Sequence, residues 1–194
     1  MKVKHVFCLS LFFLSFTFLQ DNFQARLAAA ALSLIQQKVV YDPTYFKIQY
    51  PNGDVPPGKG VCTDVIVRAY RNVGIDLQQL VHQDMKSNFN QYPRLWQLTR
   101  PDTNIDHRRV PNLMKFFSRH GSTLKTSKTV DDYKPGDVVV WSLGGSVTHI
   151  GVVVNKKSHD GLRPLIVHNI GNGQELSDCL FNYPIIGHYR YPSS

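Results

Sequence analysis

The stretch from Pro56 to Gly74 reads PPGKGVCTDVIVRAYRNVG, and it decides how we interpret the rest of the chain. Its first part carries the prolines and glycines typical of turns, and its second part predicts a helix over Thr63 to Val73 that ends at Gly74. Cys62 stands where the turn becomes the helix. The unpaired N–H groups and the positive end of a helix dipole favour a thiolate at such a position. We therefore expect Cys62 to be a thiol of lowered pKa that faces a cleft.

Helices are predicted on both sides of this stretch, in the first part of the chain. The patterns indicate helices over Ala25 to Val40, from a capping Asp76 to about Met85, and over Pro111 to His120. Residues 41–59 are rich in turn-forming types, and residues 86–110 are polar and irregular. No internal repeat interrupts this succession.

The later part of the chain has the composition of strands instead. Four β-rich runs are separated by Gly, Asn, Asp and Lys: Asp137 to Trp141, Val147 to Val154, Pro164 to Asn169 and Ile185 to Tyr191. Helices followed by strands predict an α+β fold with an antiparallel sheet. A chain of 194 residues with 42% hydrophobic residues suits one domain with a substantial core.

Two histidines lie on the predicted strands and are candidates for the base that a cysteine nucleophile needs. Alternation places His149 on one face of its strand and Thr148 and Ile150 on the other. His168, on a neighbouring strand, would hydrogen-bond the His149 ring and fix its tautomer. Taken singly, each histidine also suits an ordinary hydrogen-bonded sheet position.

Four motifs occur in one order along the chain: GVCTDVI at 60–66, KPGDVVVW at 134–141, THIGVV at 148–153 and IVHN at 166–169. Together they resemble the NlpC-like cell-wall cysteine peptidases, a bacterial branch of the papain-like fold. The whole chain resembles more closely still a domain-of-unknown-function family of secreted bacterial proteins in that group. The resemblance implies a helix that begins at the cysteine and packs on an antiparallel sheet. It implies Cys62 as nucleophile, His149 as general base and His168 as orienting residue, with no metal or cofactor.

Other polar residues are candidates for substrate binding. The resemblance leads us to expect an acidic residue directly before the cysteine, but Val61 stands there, so we assign Asp64 to the substrate side. Asn169 competes with His168 for the orienting position. His107, Arg108 and Arg109 are candidates because arginine binds carboxylates bidentately, and peptide stems of cell-wall polymers carry carboxylates. A solvated loop with internal ion pairs is the simpler explanation of these three residues.

The beginning of the chain predicts export. Lys2 and Lys4 precede an apolar run from Val6 to Leu19, which is shorter than the ~20 residues of a membrane-spanning helix. We interpret residues 1–20 as a signal peptide and residues 21–194 as the mature domain, placed in the periplasm or outside the cell. Loss of Lys2 and Lys4 with the leader lowers the net charge from +8 to 20 minus 14, or +6. This charge favours anionic envelope polymers over nucleic acid, for which no recognition motif is visible. The membrane would be contacted only through the leader.

The sequence predicts an exported cysteine hydrolase that cleaves an amide bond, most consistently in peptidoglycan stem peptides. Two alternatives remain open. The same site would also suit another acyl substrate, such as a lipid or a protein. A binding module without catalysis would result if Cys62 and Cys179 formed a disulfide in an oxidising compartment.

Overall fold

The computed structural model describes residues 23–193, where four α-helices and eight strands are connected by loops. The helices are α1 (Phe23–Leu34), α2 (Cys62–Asn72), α3 (Leu77–Asn88) and α4 (Val110–His120). The strands are β1 (Val40–Tyr41), β2 (Lys59–Gly60), β3 (Ser122–Thr123), β4 (Val138–Gly144), β5 (Val147–Lys157), β6 (Pro164–Asn169), β7 (Gln174–Ser177) and β8 (Ile185–Arg190). The predicted signal peptide, residues 1–20, lies outside the described residues.

Six of these strands form one sheet in the order β3-β8-β4-β5-β6-β7, and each neighbouring pair is antiparallel. The two short strands β1 and β2 pair with each other in parallel. The predicted α+β architecture with an antiparallel sheet is confirmed.

The two faces of the sheet carry separate apolar clusters because side chains alternate along each strand. The helix-side cluster lies under α1, α2 and α4, and its strand residues include Val138, Val140, Ile150, Val152 and Val167. The opposite cluster contains Tyr133, Val139, Trp141, Val153, Ile166 and Leu180. This assignment places the odd-numbered residues of β5, including His149, on the face away from the helices.

The helix predictions hold except at the end of α1. Gly74 has φ +90° just past α2, and the Asp76 carboxylate accepts the N–H of Gln79 at the start of α3. The first helix ends at Leu34 and not at Val40. The Gln174 side chain donates to the Leu34 carbonyl over 2.8 Å, and the chain then extends so that Val40 can pair with Lys59.

The four predicted strands are present, and their boundaries shift by only a few residues. The sequence analysis missed β1, β2, β3 and β7, which are short and carry little alternation. Within residues 23–193, no helix is both long and apolar enough to cross a lipid bilayer.

Candidate active site

Cys62 is the first residue of α2, and a local capping arrangement holds it there. The chain is extended at Val61, whose N–H donates to Asp64 Oδ2 over 2.7 Å. Asp64 thereby occupies the place of the acidic partner in a capping box. The sharp entry to the helix leaves the first N–H groups of α2 directed at the Cys62 side chain.

Burial decides the protonation state of this thiol. Cys62 is only 7% exposed, and this desolvation raises the pKa of its thiol to about 12. Hydrogen bonds from the backbone N–H groups of Ile150, Thr63 and Cys62 itself lower the pKa but do not compensate for the burial. The expected lowering of the thiol pKa is therefore wrong, and the resting group is a neutral thiol.

The neutral thiol makes a prediction for the substrate-free protein. We expect the rate of alkylation of Cys62 by iodoacetamide to rise about tenfold per pH unit between pH 7 and 10, because the thiolate is the nucleophile and remains scarce over that range. The measurement is made in a Cys179→Ser variant, so that only Cys62 is alkylated within residues 23–193. This is needed because burial also raises the pKa of the Cys179 thiol to about 12, and its alkylation would show the same pH dependence. A rate that is already constant below pH 8 would contradict the neutral resting state.

His149 and His168 form a buried pair on adjacent strands. His149 Nε2 and His168 Nδ1 are 2.9 Å apart, at hydrogen-bond distance, and the His149 ring stacks on Trp141. Burial and the neighbouring His168 lower the pKa of His149 to about 3, so this ring is neutral at physiological pH. The contact leaves His149 Nδ1 as the ring nitrogen that can serve as a base.

The sulfur of Cys62 contacts the backbone of β5 at a stretch that has no partner on its β6 side. β5 pairs with β4 from Val147 to Val152, whereas its pairing with β6 begins at Val152. In the unpaired stretch, the N–H of Ile150 donates to the sulfur of Cys62. The thiol therefore contacts the backbone directly beside His149.

Gly151 lets β6 pass close to this stretch. A Cβ atom at this position would lie 2.6 Å from Ile166 Cγ2 and 3.2 Å from the Cβ of His168. Such contacts would force β6 away, so the missing side chain is what permits His168 to reach His149.

Asp64 and Arg108 support the site from within and do not face a substrate. Arg108 Nε lies 3.0 Å from Asp64 Oδ1, and the two residues are 6% and 2% exposed. Further donors of Arg108 bind the backbone carbonyls of Thr44 and Asp42. Because these donors are engaged inside the protein, we reassign both residues from substrate binding to the support of α2.

Asn169 and His107 are also interior residues. The Asn169 amide donates to the Gly60 carbonyl over 3.2 Å and so ties β6 to the loop before Cys62. Its side chain points to the helix side of the sheet, opposite to His168, as the strand alternation predicts. Burial lowers the pKa of His107 to about 3, with a further contribution from Arg108. We therefore remove Asn169 and His107 from the substrate-binding group.

Arg109 keeps features of a binding residue. Its guanidinium carbon lies 4.3 Å from the ring centroid of the exposed Trp96. One guanidinium nitrogen is buried and has no hydrogen-bond partner within residues 23–193. Of the five substrate-binding candidates, Arg109 is the one we retain.

Both cysteines of the described chain, Cys62 and Cys179, are free thiols. Cys62 belongs to the helix-side cluster, whereas Cys179 packs against the opposite cluster. The sheet separates them, so the alternative of a Cys62–Cys179 disulfide is not realised.

Comparison with known proteins places the chain in a family. A family model described as "Domain of unknown function (DUF1287)" matches residues 28–191. The chain belongs to this family. The predicted membership of a domain-of-unknown-function family is thus confirmed.

A curated relative of this DUF1287 chain is "Uncharacterized protein YijF" of Escherichia coli (strain K12). The two are 51% identical over 173 residues, which cover 89% of this chain and 84% of that protein. The solved structure of NlpC1 from Trichomonas vaginalis is similar with a TM-score of 0.48 and 15% identity over 87% of this chain. The chain spans 44% of the length of that structure.

Two residues of the DUF1287 site escaped the sequence analysis. Tyr41 pairs with Gly60 across β1 and β2. Burial raises the pKa of its phenol, and Cys62 and Asp64 raise it further, so Tyr41 lies within electrostatic range of the thiol. Glu175 stands on β7 opposite His168. Neither belongs to a recognisable motif, so only the tertiary structure reveals them.

The histidines, cysteines and acidic residues of the described chain do not converge on a metal site. Among residues 23–193, no three such side chains are grouped so that they could hold an ion. The geometry offers a buried thiol, a neutral imidazole and helix N–H groups, which suit acyl transfer.

Proposed function

We propose that this protein is an exported cysteine hydrolase that cleaves amide bonds in peptidoglycan stem peptides. The observation that carries the proposal is the position of Cys62, whose sulfur accepts the N–H of Ile150 beside His149. His149 in turn has its second ring nitrogen held by His168 at 2.9 Å. Covalent acyl transfer requires a nucleophile, a base and a group that orients the base, and we assign these roles to Cys62, His149 and His168.

The first half of the reaction forms a thioester. Because thiol and imidazole are both neutral at rest, His149 Nδ1 takes the Cys62 proton as the sulfur attacks the amide carbonyl. The resulting oxyanion lies at the start of α2, where the N–H groups of Cys62 and Thr63 are the available donors. The tetrahedral intermediate then collapses, and the amine leaves with the proton that His149 returns.

The second half regenerates the thiol. His149 removes a proton from a water molecule, which attacks the thioester carbonyl and releases the carboxylic acid product. The proton then passes from His149 to the Cys62 sulfur. The products are one amine and one acid for each amide bond and water molecule consumed.

Charge and compartment support the choice of substrate class. The chain carries a net charge of +8, and peptide stems of the bacterial wall carry free carboxylates. Arg109, with an unpaired guanidinium nitrogen beside Trp96, is the residue we assign to such a carboxylate. The predicted signal peptide over residues 1–20 would deliver the protein to this polymer.

The test is digestion of isolated peptidoglycan followed by mass spectrometry of the released fragments. We expect fragments whose masses correspond to the cleavage of one type of amide bond. Cys179→Ser is the matched control, because it removes the other described thiol from the opposite face of the sheet and should leave the digestion unchanged. If no fragments are released but a lipid or protein acyl substrate is hydrolysed, that substrate would replace peptidoglycan in the proposed function.

The histidine pair makes a graded prediction within this reaction. We expect His149→Ala to lower kcat by roughly 10³-fold or more, since it removes the proton acceptor. His168→Ala should cost less, about 10-fold to 10²-fold, because His149 then keeps its place but loses its tautomeric control. Steady-state kinetics on one peptidoglycan fragment gives both values. Equal losses in the two variants would contradict the separate roles.

A further inference from the structure

One nitrogen of the histidine pair has no hydrogen-bond partner. His168 uses Nδ1 for His149, while its Nε2 is buried and has no partner at hydrogen-bond distance among the described residues. An imidazole nitrogen enclosed in this way needs a partner, because burial of an unpaired polar group is unfavourable.

Glu175 is the group placed to supply that partner. The register of β6 and β7 sets Glu175 directly opposite His168, and its Oε1 lies 3.8 Å from His168 Nε2. This separation exceeds a hydrogen bond by about 1 Å. The Glu175 side chain is 36% exposed, so it has room to rotate toward the ring.

The backbone of β7 is held in place while this side chain remains movable. The neighbouring Gln174 points to the helix side, where its amide donates to the Leu34 carbonyl over 2.8 Å and its oxygen accepts from Arg68. These contacts anchor the strand in register. A rotation of Glu175 alone therefore closes the gap to His168.

The positions of the ring hydrogens show what a contact between Glu175 and His168 would do. To accept the Cys62 proton, His149 must present a lone pair on Nδ1 and carry its hydrogen on Nε2. That N–H donates to His168 Nδ1, so His168 must carry its own hydrogen on Nε2. A carboxylate facing His168 Nε2 stabilises this hydrogen and therefore selects the tautomer of both rings.

We propose that Glu175 is a positioning residue whose carboxylate accepts the Nε2 hydrogen of His168 and thereby keeps the lone pair of His149 on Nδ1. The inference deepens the proposed function and rests on it. The groups that face His168 from the adjoining strands are His149 on β5 and Glu175 on β7. Burial lowers the pKa of His168, and Glu175 raises it.

The test observes the histidine nitrogens directly and needs no substrate. Two-dimensional NMR that correlates ring nitrogens with ring protons distinguishes the two neutral tautomers, and a His168→Gln variant assigns the signals. We expect the Nε2–H form of His168 in the wild type and a mixture of both forms in Glu175→Ala. Glu175→Gln should retain the Nε2–H form, because its amide oxygen still accepts the hydrogen.

Kinetics on a peptidoglycan fragment supplies the second readout. We expect kcat to fall roughly 10-fold to 10²-fold in Glu175→Ala with KM changed less than about twofold, and Glu175→Gln to recover most of the loss. Asp178→Asn is the matched control. It removes a carboxylate just beyond β7 that pairs with Arg163 and not with His168.

The outcomes separate the two proposals. An unchanged His168 tautomer in Glu175→Ala, or an equal loss of kcat in Asp178→Asn, would overturn the role of Glu175. If the wild type cleaves no acyl substrate while Glu175→Ala still redistributes the His168 tautomers, the hydrolase proposal fails and the hydrogen-bond chain stands.

Discussion

Replacing Cys62 with alanine is expected to reduce the release of peptidoglycan fragments by at least about 10⁴-fold, because the variant has no atom that can form the thioester. The fold should survive the change. Cys62 is 7% exposed, and removal of one sulfur atom from the helix-side cluster leaves a cavity that costs about 1 kcal/mol. Digestion assays and thermal unfolding of the same preparation give the two quantities.

A Cys62→Ser variant tests whether the sulfur atom itself is required. Serine keeps the shape and a hydroxyl group, but an alcohol is a much weaker nucleophile than a thiol toward an amide carbonyl. We therefore expect the serine variant to be as inactive as the alanine variant. Retained digestion in Cys62→Ala would refute the nucleophile, and it would direct attention to a different site.

Replacing Asp64 with asparagine is expected to have the largest effect on stability. Asp64 lies 3.0 Å from Arg108 in the interior and also accepts the Val61 N–H that begins α2. The substitution leaves the Arg108 guanidinium buried without its counter-charge, which typically costs 3–5 kcal/mol. Urea denaturation followed by circular dichroism measures the free energy of unfolding.

Two comparisons show whether burial of the charge is the cause. In Asp160→Asn, an ion pair of the same types with Arg163 is broken at the surface, so we expect a loss below about 1 kcal/mol. In Asp64→Leu/Arg108→Met, both buried charges are removed. We expect this double variant to be more stable than Asp64→Asn, because no unpaired charge remains. The explanation would be contradicted if the double variant lost as much free energy of unfolding as Asp64→Leu and Arg108→Met lose separately, added together.

The order of the motifs along the chain was sufficient to predict the elements around Cys62, His149 and His168. Long strands such as β5 have many β-branched residues, and their alternation also predicts which face each histidine occupies. Strands of two to four residues, such as β1 and β7, contain too few positions for any periodicity. Their existence depends on pairing with segments that are distant in sequence.

The electrostatic properties of the site could not be predicted from the sequence. The helix start at Cys62 favours a thiolate, but the packing of the sheet against α2 buries the sulfur, and this desolvation has the larger effect. Arg108 looks like a substrate ligand because its partner Asp64 is 44 residues away in the chain. The sequence alone does not distinguish an arginine that forms an internal ion pair from one that remains free to bind a substrate.

The separation of the two thiols by the sheet has a consequence for the redox chemistry of the protein. Cys62 and Cys179 belong to clusters on opposite faces, and burial keeps both thiols protonated. Within residues 23–193, an oxidant therefore finds neither a thiolate to attack nor a second thiol close enough to form a bridge. In an oxidising compartment such as the periplasm, the proposed nucleophile would therefore stay reduced without a dedicated reductase.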